Sequence, residues 1–427
     1  MDINRKTAYY TLLRMEKNTS YSNIELNNQI RTMKPDSPAF VRDLVYGVLE
    51  NKLYLDYLLE QLVKKGLRKL DAEPHVLLRM GIYQLMFMDS VPDYAAVNET
   101  VKMAKKFCFY QTKMINGVLR NFQRSRETLK QPINEEDPVK RLSAAYSFDP
   151  WITKLWLDQY GEERAASLMA ASNLVPPFTV RVNTLKTTPE ELRVRLEERG
   201  VQAYYSQVSK NVLTLEGHGL LELPEYTEGL FFVQDAGSAA SVEALEPRPG
   251  DTVIDVCAAP GGKSFVCAEM MENTGDIHSF DIYEKKLEAI EKHARRLGIH
   301  IIHTALNNAE KLRADLVETA DKVICDVPCT GLGVVRRKPE IKYRKVKNEG
   351  RDLAKKQLQI LQTSSKYLKK GGYIIYSTCT VNKIENADIV GKFLKNNSNF
   401  RLIQSRQLMP NGEGTDGFYY CKLKKKY

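Results

Sequence analysis

The sequence predicts a multidomain protein in three parts: an all-α bundle over residues 1–130, a small α+β segment over residues 143–230, and an α/β domain over residues 231–427. Up to about residue 130, apolar residues recur at the three- and four-residue steps of helices. From about residue 232, apolar strands alternate with helices, which is typical of a doubly wound, mostly parallel sheet. A polar, proline-flanked linker over residues 131–138 separates the first two parts.

Composition narrows the class of protein. The formal charge of +10 favours an anionic partner such as nucleic acid. No stretch approaches eighteen consecutive apolar residues, so no membrane-spanning helix is expected. The seven cysteines include no Cys-x-x-Cys pair, which argues against zinc ribbons and thioredoxin-type redox sites. The six histidines show no metal-ligand spacing. Free thiols favour a reducing, cytoplasmic location, and we predict no metal.

The first part carries helical stripes such as Val41, Leu44, Val45 and Val48, and its prolines fall between the stripes. Residues 1–130 contain 21 Lys and Arg against 14 Asp and Glu, most of the excess positive charge of the chain. Basic side chains here are candidate RNA phosphate contacts, although each one also fits a solvated surface. The candidates are Lys102, Lys105, Lys106, Lys113, Arg120, Arg124 and Arg126.

The middle segment mixes helices near residues 150–160 and 162–171 with a strand at residues 178–183. A further helix over residues 188–199 begins with Thr188-Pro189, where proline occupies a first-turn position. Arg181, inside the strand, is either structural or a contact to substrate, and the sequence leaves both interpretations open.

The last part consists of alternating strands and helices. Strands are predicted at residues 252–257, 276–282, 301–306, 322–327 and 373–379, with closing strands near residue 400 and at 418–423. Helices are predicted at residues 284–297, 352–369 and 384–395. In such a sheet the ligand lies at the carboxyl ends of the strands, where the strand order reverses.

The loop after the first strand of this sheet is the predicted cofactor site. Gly261 and Gly262 allow close approach of a ligand, and Asp281, twenty positions after Gly261, is placed to bind ribose hydroxyls. A triphosphatase is the competing interpretation, but Cys257 stands where a phosphate loop requires glycine and Pro260 has no N–H. The dinucleotide pattern Gly-x-Gly-x-x-Gly is absent. An adenosine ligand without a phosphate chain, S-adenosylmethionine, fits better.

Two later strands each deliver a thiol to the same edge of the sheet. Asp326-Val327-Pro328-Cys329-Thr330-Gly331 follows one strand, and Cys379 ends the next. Thiols beside an acid suggest covalent chemistry. On position alone Cys329, three residues after Asp326, is the first candidate for the nucleophile, and residue type does not distinguish the two thiols.

Several segments resemble known families. Phe40-Val41-Arg42-Asp43-Leu44-Val45-Tyr46-Gly47 and Asn116-Gly117-Val118-Leu119-Arg120 resemble the NusB family of helical RNA-binding domains. Asp255-Val256-Cys257-Ala258-Ala259-Pro260-Gly261-Gly262-Lys263, Asp326-Val327-Pro328-Cys329-Thr330-Gly331 and Tyr376-Ser377-Thr378-Cys379-Thr380 resemble motifs of the RsmB (Sun or Fmu) family of 16S rRNA cytosine-C5 methyltransferases. The resemblance covers essentially the whole chain, and its motifs stand in order.

The resemblance implies a fold and a set of roles. The fold is a NusB-like bundle, a small α+β subdomain and a Rossmann-like catalytic domain. The implied activity is S-adenosylmethionine-dependent methylation of cytosine 967 of 16S rRNA by a monomeric protein. Cys379 matches the nucleophile, Cys329 the group that assists release, and Asp326 lies between cofactor and base. Residues implied in cofactor binding are Cys257, Ala258, Ala259, Pro260, Gly261, Gly262, Lys263, Asp281, Asn307, Asn308 and Asp326.

Three points are left open by the sequence. The family often has an acid where this chain has Asn307-Asn308, and either amide could contact adenine. Arg181, Arg336 and Arg337 are further RNA-contact candidates. A non-catalytic RNA-binding factor is the alternative function, although the intact thiols, Asp326 and glycine loop argue against it.

The chemistry explains the residue types. Addition of a thiolate to C6 turns C5 of cytosine into a carbon nucleophile strong enough to take a methyl group. Reactive thiolates require a lowered pKa, which we expect near Lys263 or a helix N-terminus. The base must leave its stack, so single-stranded or loop RNA is the expected substrate. Cys108, Cys267, Cys325 and Cys421 are expected to be buried small hydrophobes.

Overall fold

The computed structural model describes residues 1–17, 22–344 and 349–426. The chain divides into two compact units, Met1–Leu174 with Val335–Lys345, and Val175–Val334 with Val346–Tyr427. The helices at residues 150–160 and 162–171 belong to the first unit, whereas the sequence analysis grouped them with the strands that follow. The sequence analysis predicted three domains rather than two units, and the boundaries of those three domains stay a prediction.

The first unit is helical, as predicted. Proline and capping residues set several helix starts: Ser37 accepts a hydrogen bond from the Phe40 amide, with Pro38 next to it, and Asp137 and Asp149 cap in the same way. Its helices are α1 Ile3–Lys17, α2 Ser22–Met33, α3 Pro38–Glu50, α4 Lys52–Leu62, α5 Ala72–Phe87, α6 Asp93–Phe107, α7 Thr112–Ser125, α8 Pro138–Tyr146, α9 Pro150–Tyr160 and α10 Glu162–Ala171.

The apolar stripes found in the sequence form the core of this unit. Val41, Leu44 and Val45 of α3 and Leu55 and Leu59 of α4 are fully buried in one cluster. Burial of each such side chain contributes about 1.5–3 kcal/mol. The helical periodicity therefore predicted both the elements and the faces that they bury.

The described residues 335–344 pack within the helical unit, which the sequence did not suggest. The ammonium of Lys342 donates to the carbonyl of Glu50 at 2.9 Å, and the Trp151 indole donates to the carbonyl of Arg344 at 2.8 Å. Lys342 is almost fully buried, and this burial lowers its pKa to about 7. Arg336 and Arg337, the RNA-contact candidates of this segment, are half-buried in it, and their RNA contact stays a prediction.

The second unit begins with a small antiparallel sheet. Its strands are β1 Phe178–Val182, β2 Gln202–Tyr205, β3 Val212–Glu216 and β4 Phe231–Val233, in the order β2-β3-β1-β4. Helix α11, Pro189–Glu198, has a full capping box, because Thr188 and Glu191 cap each other's backbone amides. The short helix α12, Pro224–Thr227, leads into β4.

The large sheet of this unit has the order β10-β11-β9-β8-β5-β6-β7. Strands β9, β8, β5, β6 and β7 are parallel, and β10 and β11 are antiparallel at one edge. The elements are α13 Ala236–Leu245, β5 Thr252–Asp255, α14 Gly262–Met270, β6 Asp276–Asp281, α15 Glu284–Leu297, β7 Ile302–Leu306, β8 Ala320–Asp326, α16 Glu349–Ser365, β9 Leu368–Thr378, α17 Ala387–Asn396, β10 Phe400–Leu408 and β11 Phe418–Lys425.

The predicted fold class is confirmed, and the strand order reverses between β5 and β8. Several element boundaries differ from the prediction, and the largest difference is the start of β9, at Leu368 rather than at residue 373. Helix α16 ends at Ser365 rather than at residue 369, because Leu368 already pairs with Ala320 of β8. Helix α17 starts at Ala387 rather than at residue 384, because residues 383–385 form a separate 3₁₀ turn. Helix α13 was not predicted.

Within residues 1–17, 22–344 and 349–426, the structure contains no helix that is both long and apolar enough to cross a lipid bilayer. The predicted cytoplasmic location stays a prediction.

Candidate active site

Three loops meet at the carboxyl edge of the large sheet, at the point where the strand order reverses. Asp255 of β5 pairs with Ile324 of β8, and Asp326 of β8 pairs with Ser377 of β9. Because these strands are parallel and in register, the loops that follow them converge. They enclose a cavity of about 330 Å³. Its lining includes Phe232, Gln234, Asp255, Cys257, Ala258, Ala259, Pro260, Lys263, Asp326, Cys379, Asp416 and Phe418.

The glycine loop after β5 is shaped by close packing. Gly261 has φ +101° and precedes α14, and a Cβ at this position would lie 2.5 Å from the Phe265 ring. The Ala258 amide donates to the carbonyl of Phe280 at 2.8 Å, which anchors the loop to β6. Gly262 and Lys263, the first two residues of α14, line the cavity.

Asp255, at the end of β5, was missed as a candidate site residue. It is buried, and one carboxylate oxygen accepts a hydrogen bond from Ser264 at 2.8 Å. Its other oxygen has no partner among the described residues. Burial raises the pKa of Asp255 to about 7, against the lowering effect of the Ser264 hydrogen bond. A signal was present, because an acid at the end of a buried strand faces the ligand edge.

The ends of β6 and β7 place Asp281 beside Asn307. The backbone amide of Asn307 donates to the backbone carbonyl of Asp281 at 3.1 Å. Asp281 accepts from the Tyr283 amide at 3.1 Å, and the Lys286 ammonium lies 3.5 Å away. The side-chain Nδ2 of Asn307 is buried and has no acceptor among the described residues. Asn308, in contrast, caps a turn, since its Oδ1 accepts from the Glu310 amide at 3.0 Å.

These residues fit an adenosine ligand. The open Nδ2 of Asn307 could donate a hydrogen bond to a ring nitrogen of adenine. The Asp281 carboxylate could accept hydrogen bonds from the ribose hydroxyls. Gly262 leaves little room beside Gln234, because a Cβ on this glycine would lie 3.2 Å from the Gln234 amide group. A ligand therefore meets backbone there.

Asp326 lies between the glycine loop and β9. The Lys263 ammonium donates to one oxygen at 2.7 Å, and the Ser377 hydroxyl donates to the other at 2.6 Å. The same ammonium lies 5.2 Å from the centroid of the Phe418 ring. Lys263 and Asp326 therefore form a charge pair on the wall of the cavity, with an aromatic ring beside it.

The two predicted thiols are in contact. Cys329 Sγ lies 3.3 Å from Cys379 Sγ. The hydrogen bond to Cys379, and then burial, raise the pKa of Cys329 well above its usual range. The expected lowering of the thiol pKa is therefore wrong for Cys329, because the largest effect on its pKa comes from contact with another thiol rather than with a cation. Of the two thiols, Cys379 lines the cavity and Cys329 does not.

Glu385 holds the two thiol loops together and was not predicted from the sequence. It is fully buried, and its carboxylate accepts hydrogen bonds from the Thr330 amide at 2.9 Å, the Thr330 hydroxyl at 2.5 Å, the Asn382 amide group at 2.9 Å and the Gln357 amide group at 3.0 Å. Thr330 follows Cys329, and Asn382 is three residues after Cys379. One carboxylate thus fixes both loops.

The far wall of the cavity comes from the loop before β11. The carboxylate of Asp235 accepts from the Thr415 hydroxyl at 2.7 Å and the Asp416 amide at 3.0 Å. Gly333 joins this wall to the thiols: its amide donates to the Cys379 carbonyl at 3.0 Å, and its carbonyl accepts from the Gly417 amide at 2.9 Å. Sequence patterns did not connect these distant segments.

The predicted RNA contacts lie in several environments. Arg181 is 1% exposed, pairs with Glu269 and donates to Gln234 at 2.8 Å. A guanidinium so enclosed does not reach an RNA phosphate, so of its two open interpretations the structural one applies. The basic residues of the first unit are exposed, namely Lys102, Lys105, Lys106, Lys113, Arg120, Arg124 and Arg126.

The remaining cysteines follow the prediction with one exception. Cys267, Cys325 and Cys421 are buried, as expected. Cys108 is only half-buried, because it ends α6 rather than occupying the buried face of a helix.

Comparisons with known proteins agree with this architecture. The NusB family matches residues 2–124, the ferredoxin-like domain of RsmF/B-like methyltransferases matches residues 148–221, and the 16S rRNA methyltransferase RsmB/F family matches residues 242–424. A probable ribosomal RNA small subunit methyltransferase B of Bacillus subtilis is 34% identical, over 99% of this chain and 98% of the relative. Ribosomal RNA small subunit methyltransferase B of Serratia proteamaculans is 31% identical, over 92% of each chain.

A solved methyltransferase homologue from Pyrococcus horikoshii superposes with a TM-score of 0.61 at 28% identity, over 68% of this chain and 98% of that one. Fold and site thus define an S-adenosylmethionine-dependent methyltransferase that carries an N-terminal NusB domain. The chain belongs to the ribosomal RNA small subunit methyltransferase B (RsmB) family, whose members are RNA cytosine-C5 methyltransferases. The prediction that the protein is an enzyme is therefore confirmed, and the alternative of a non-catalytic RNA-binding factor is not.

Proposed function

We propose that the protein methylates C5 of cytosine 967 in 16S rRNA through a covalent adduct between a cysteine thiol and C6 of the base. The observation that carries the proposal is the thiol pair, with 3.3 Å between the two sulfurs and, of the two, Cys379 on the cavity wall. Family membership supports the substrate class, and the geometry of the thiols supports the covalent route.

The cofactor site is proposed at the edge formed by the loops after β5, β6 and β7. Residues Cys257 to Lys263 would enclose the amino acid end, Asp281 would bind the ribose, and Asn307 would contact adenine. Asn307 is preferred to Asn308 because its Nδ2 is a buried donor without an acceptor among the described residues. When bound, S-adenosylmethionine supplies a methyl group on a sulfonium, which is an electrophile.

The attack on the base is assigned to Cys379. Its thiolate adds to C6 of cytosine, and the electron pair displaced from the C5–C6 double bond makes C5 nucleophilic. Asp326, which lies on the same cavity wall, would in its protonated form donate a hydrogen bond to N3 and stabilise the negative charge that builds on the ring. The Phe418 ring, near the Lys263 ammonium, offers a face for the unstacked base.

Release is assigned to Cys329. After C5 has taken the methyl group, a water molecule acting as base accepts its proton, and the electrons of that C–H bond re-form the C5–C6 double bond as the C6–S bond breaks. The high pKa of Cys329, caused first by its hydrogen bond to Cys379 and then by burial, keeps it a thiol beside the sulfur that must depart. A neutral S–H group donating to the leaving thiolate stabilises it.

The test uses 16S rRNA and methyl-labelled S-adenosylmethionine. We expect label at one cytosine with wild-type protein, none with Cys379→Ala, and a protein–RNA adduct stable to denaturing electrophoresis with Cys329→Ala. Cys267→Ala, at a buried thiol outside the site, is the control and should methylate normally. An adduct with Cys379→Ala but none with Cys329→Ala would reverse the two roles, and absence of transfer by wild type would end the proposal.

A further inference from the structure

Gly117 is unexplained by the packing of the helical unit. It lies inside α7, is exposed, and a Cβ added there would meet nothing within 4 Å. Its φ is not positive, so alanine could adopt the same backbone and would stabilise the helix. By comparison, a Cβ at Gly47 would clash with Tyr83, and one at Gly81 with Leu119. Packing inside the helical unit therefore requires glycine at positions 47 and 81 but not at position 117.

The surface around Gly117 is strongly basic. Residues 1–99 contain 13 Lys and Arg and 13 Asp and Glu, whereas residues 100–126 contain seven Lys and Arg and no acid. Helix α7 buries Ile115, Val118, Leu119 and Phe122 on one face. The opposite face carries Lys113, Gly117, Arg120 and Arg124, all exposed. This face extends over about 16 Å at 1.5 Å per residue.

Two aromatic rings stand at the start of this face. Phe109 and Tyr110 are 69% and 94% exposed, in the 3₁₀ turn that immediately precedes α7. Their ring centroids are 5.9 Å apart and nearly perpendicular. Phe107, two residues earlier, instead stacks on Tyr9 at 4.6 Å. The chain therefore has room for aromatic residues in the core of this unit, yet it leaves these two outside.

Acids near the start of this face are paired, and two others lie at its far end, where Asp93 accepts a hydrogen bond from the Gln123 side chain at 3.5 Å and Glu127 follows α7. Glu73, the acid that influences Cys108, is paired with Lys17 at 2.7 Å, and Glu99 is paired with Lys102 at 2.5 Å. Within the described residues, Lys105, Lys106 and Lys113 have no acidic partner within 4.0 Å. The two rings are thus flanked on both sides by unpaired positive charge.

We propose that Phe109, Tyr110 and the exposed face of α7 form a binding site for unpaired RNA. Bases stack on the two rings, and the sugar–phosphate chain runs along α7, passing close to the backbone at Gly117 between Lys113 and Arg120. Exposed rings beside a basic track suit a single strand, because stacking needs a free base face and the track needs phosphates. The inference rests on the proposed RNA substrate, and it assigns a second contact region away from the reacting cytosine.

The first experiment tests the exposed face of α7. Binding of the full-length protein to a labelled 12-nucleotide unstructured RNA is measured by fluorescence anisotropy. Gly117→Glu should weaken binding at least tenfold, and Gly117→Ala about threefold, with no loss of thermal stability. Gly391→Glu is the matched control: this glycine is also exposed, inside α17 of the other unit, and open to a Cβ. It should bind as wild type.

The second experiment isolates the rings. Phe109→Ala with Tyr110→Ala should weaken binding about fivefold or more, as expected for loss of base stacking. Phe109→Leu with Tyr110→Leu, which keeps apolar surface without aromatic faces, should weaken it similarly. An RNA of the same length without bases should bind all three proteins equally. Lys113→Ala should reduce the slope of log Kd against log salt by about 0.7, the value of one phosphate contact on a single strand.

Unchanged RNA affinity in Gly117→Glu and in the double alanine variant would overturn the site. If these variants kept their RNA affinity but no longer bound vesicles containing phosphatidylserine, the surface would be a membrane-binding site instead. Methyl transfer to 16S rRNA is measured in parallel. If wild type transfers no methyl group, the proposed function fails, while the anisotropy results still decide the binding site by themselves.

Discussion

The two halves of the ligand edge are built differently. On the β8–β9 side, the thiol loops are fixed by a buried carboxylate, since Glu385 accepts four hydrogen bonds from Thr330, Asn382 and Gln357. On the β6–β7 side, Asn307 keeps a buried donor open, and Asp281 has one backbone donor and one distant ammonium. The β8–β9 half, for which we propose the covalent chemistry, meets most of its hydrogen bonds internally, with the buried Gln357 Oε1 as an exception among the described residues. The β6–β7 half, for which we propose cofactor binding, leaves the Asn307 donor open. Loops that must be held rigid need their polar groups hydrogen-bonded within the protein, whereas a binding site needs polar groups that are free to bond the ligand.

The largest expected effect is at Glu385. In Glu385→Gln, an NH₂ group replaces an oxygen that faces several donors, so we expect the free energy of unfolding to fall by about 3 kcal/mol. Methyl transfer should fall at least a hundredfold, while cofactor affinity stays within twofold, because the β6–β7 side does not contact this network. Chemical denaturation, single-turnover methylation and cofactor titration measure the three quantities.

Glu413→Gln is the control for this charge removal, since Glu413 is exposed and paired with Arg406 at the surface. Its stability and rate should match wild type. If Glu385→Gln also behaved like wild type, the carboxylate would have no positioning role, and the difference between the two halves would disappear.

A second effect concerns the close contact that joins the thiol loop to the far wall. A Cβ on Gly333 would lie 1.9 Å from the carbonyl oxygen of Gly417, so Gly333→Ala must displace one loop. We expect a loss of about 2 kcal/mol in unfolding free energy, the scale of overpacking, and reduced methyl transfer. Gly391→Ala, at an open helical position, should be neutral or slightly stabilising. Equal stability of the two variants would show that the Gly333 contact relaxes freely.

A third prediction uses Asp255, which lies between the two halves. Its folded pKa, about 7, is raised by burial above the ordinary value of 3.8, with Lys263 opposing the shift and Asp326 adding to it. A raised folded pKa means that stability is fully present below about pH 4 and is lost as pH rises toward 7. Relative to Asp255→Asn, which does not titrate, the wild-type protein should lose at most about 1.4 kcal/mol per pH unit in this window.

Urea denaturation of the cofactor-free protein at several pH values measures this difference. If the difference in unfolding free energy between wild type and Asp255→Asn were constant between about pH 4 and pH 7, Asp255 would already be ionised in the folded protein. Its hydrogen bonds would then be met internally, as those of the β8–β9 side mostly are.

The smallest effect concerns the open donor. Asn307→Ala should weaken S-adenosylmethionine binding about fivefold, or about 1 kcal/mol, without lowering the stability of the cofactor-free protein, because the lost donor had no partner there. Asn308→Ala should do the reverse, since Asn308 caps a turn through Glu310. Isothermal titration and thermal melts of both variants give the comparison. Weaker cofactor binding only in Asn308→Ala would assign adenine to the other asparagine.

Much of the fold and part of the site could be predicted from the sequence. Helical periodicity located the core of the first unit, because the period of a helix fixes which side chains face inward. The alternating pattern predicted the parallel sheet, and the rule that ligands lie at its carboxyl edge placed Gly261, Asp326 and Cys379 at one edge. Most of the features that were missed share one property: Glu385, Gly333, Asp235 and the packed segment 335–344 act through contacts between residues far apart in the chain. Asp255 is the exception, since its partner Ser264 is nine residues away.

The sequence by itself determined most of the helices and strands, the order of the motifs and the family, because local periodicity and motif spacing are carried by neighbouring residues. Only the tertiary structure decided which of two adjacent asparagines has an open donor, that Arg181 is enclosed rather than available to RNA, and that Cys379 rather than Cys329 faces the cavity. Those distinctions depend on burial and on partners supplied by distant strands, and the same residue types in the same local pattern could have had either environment.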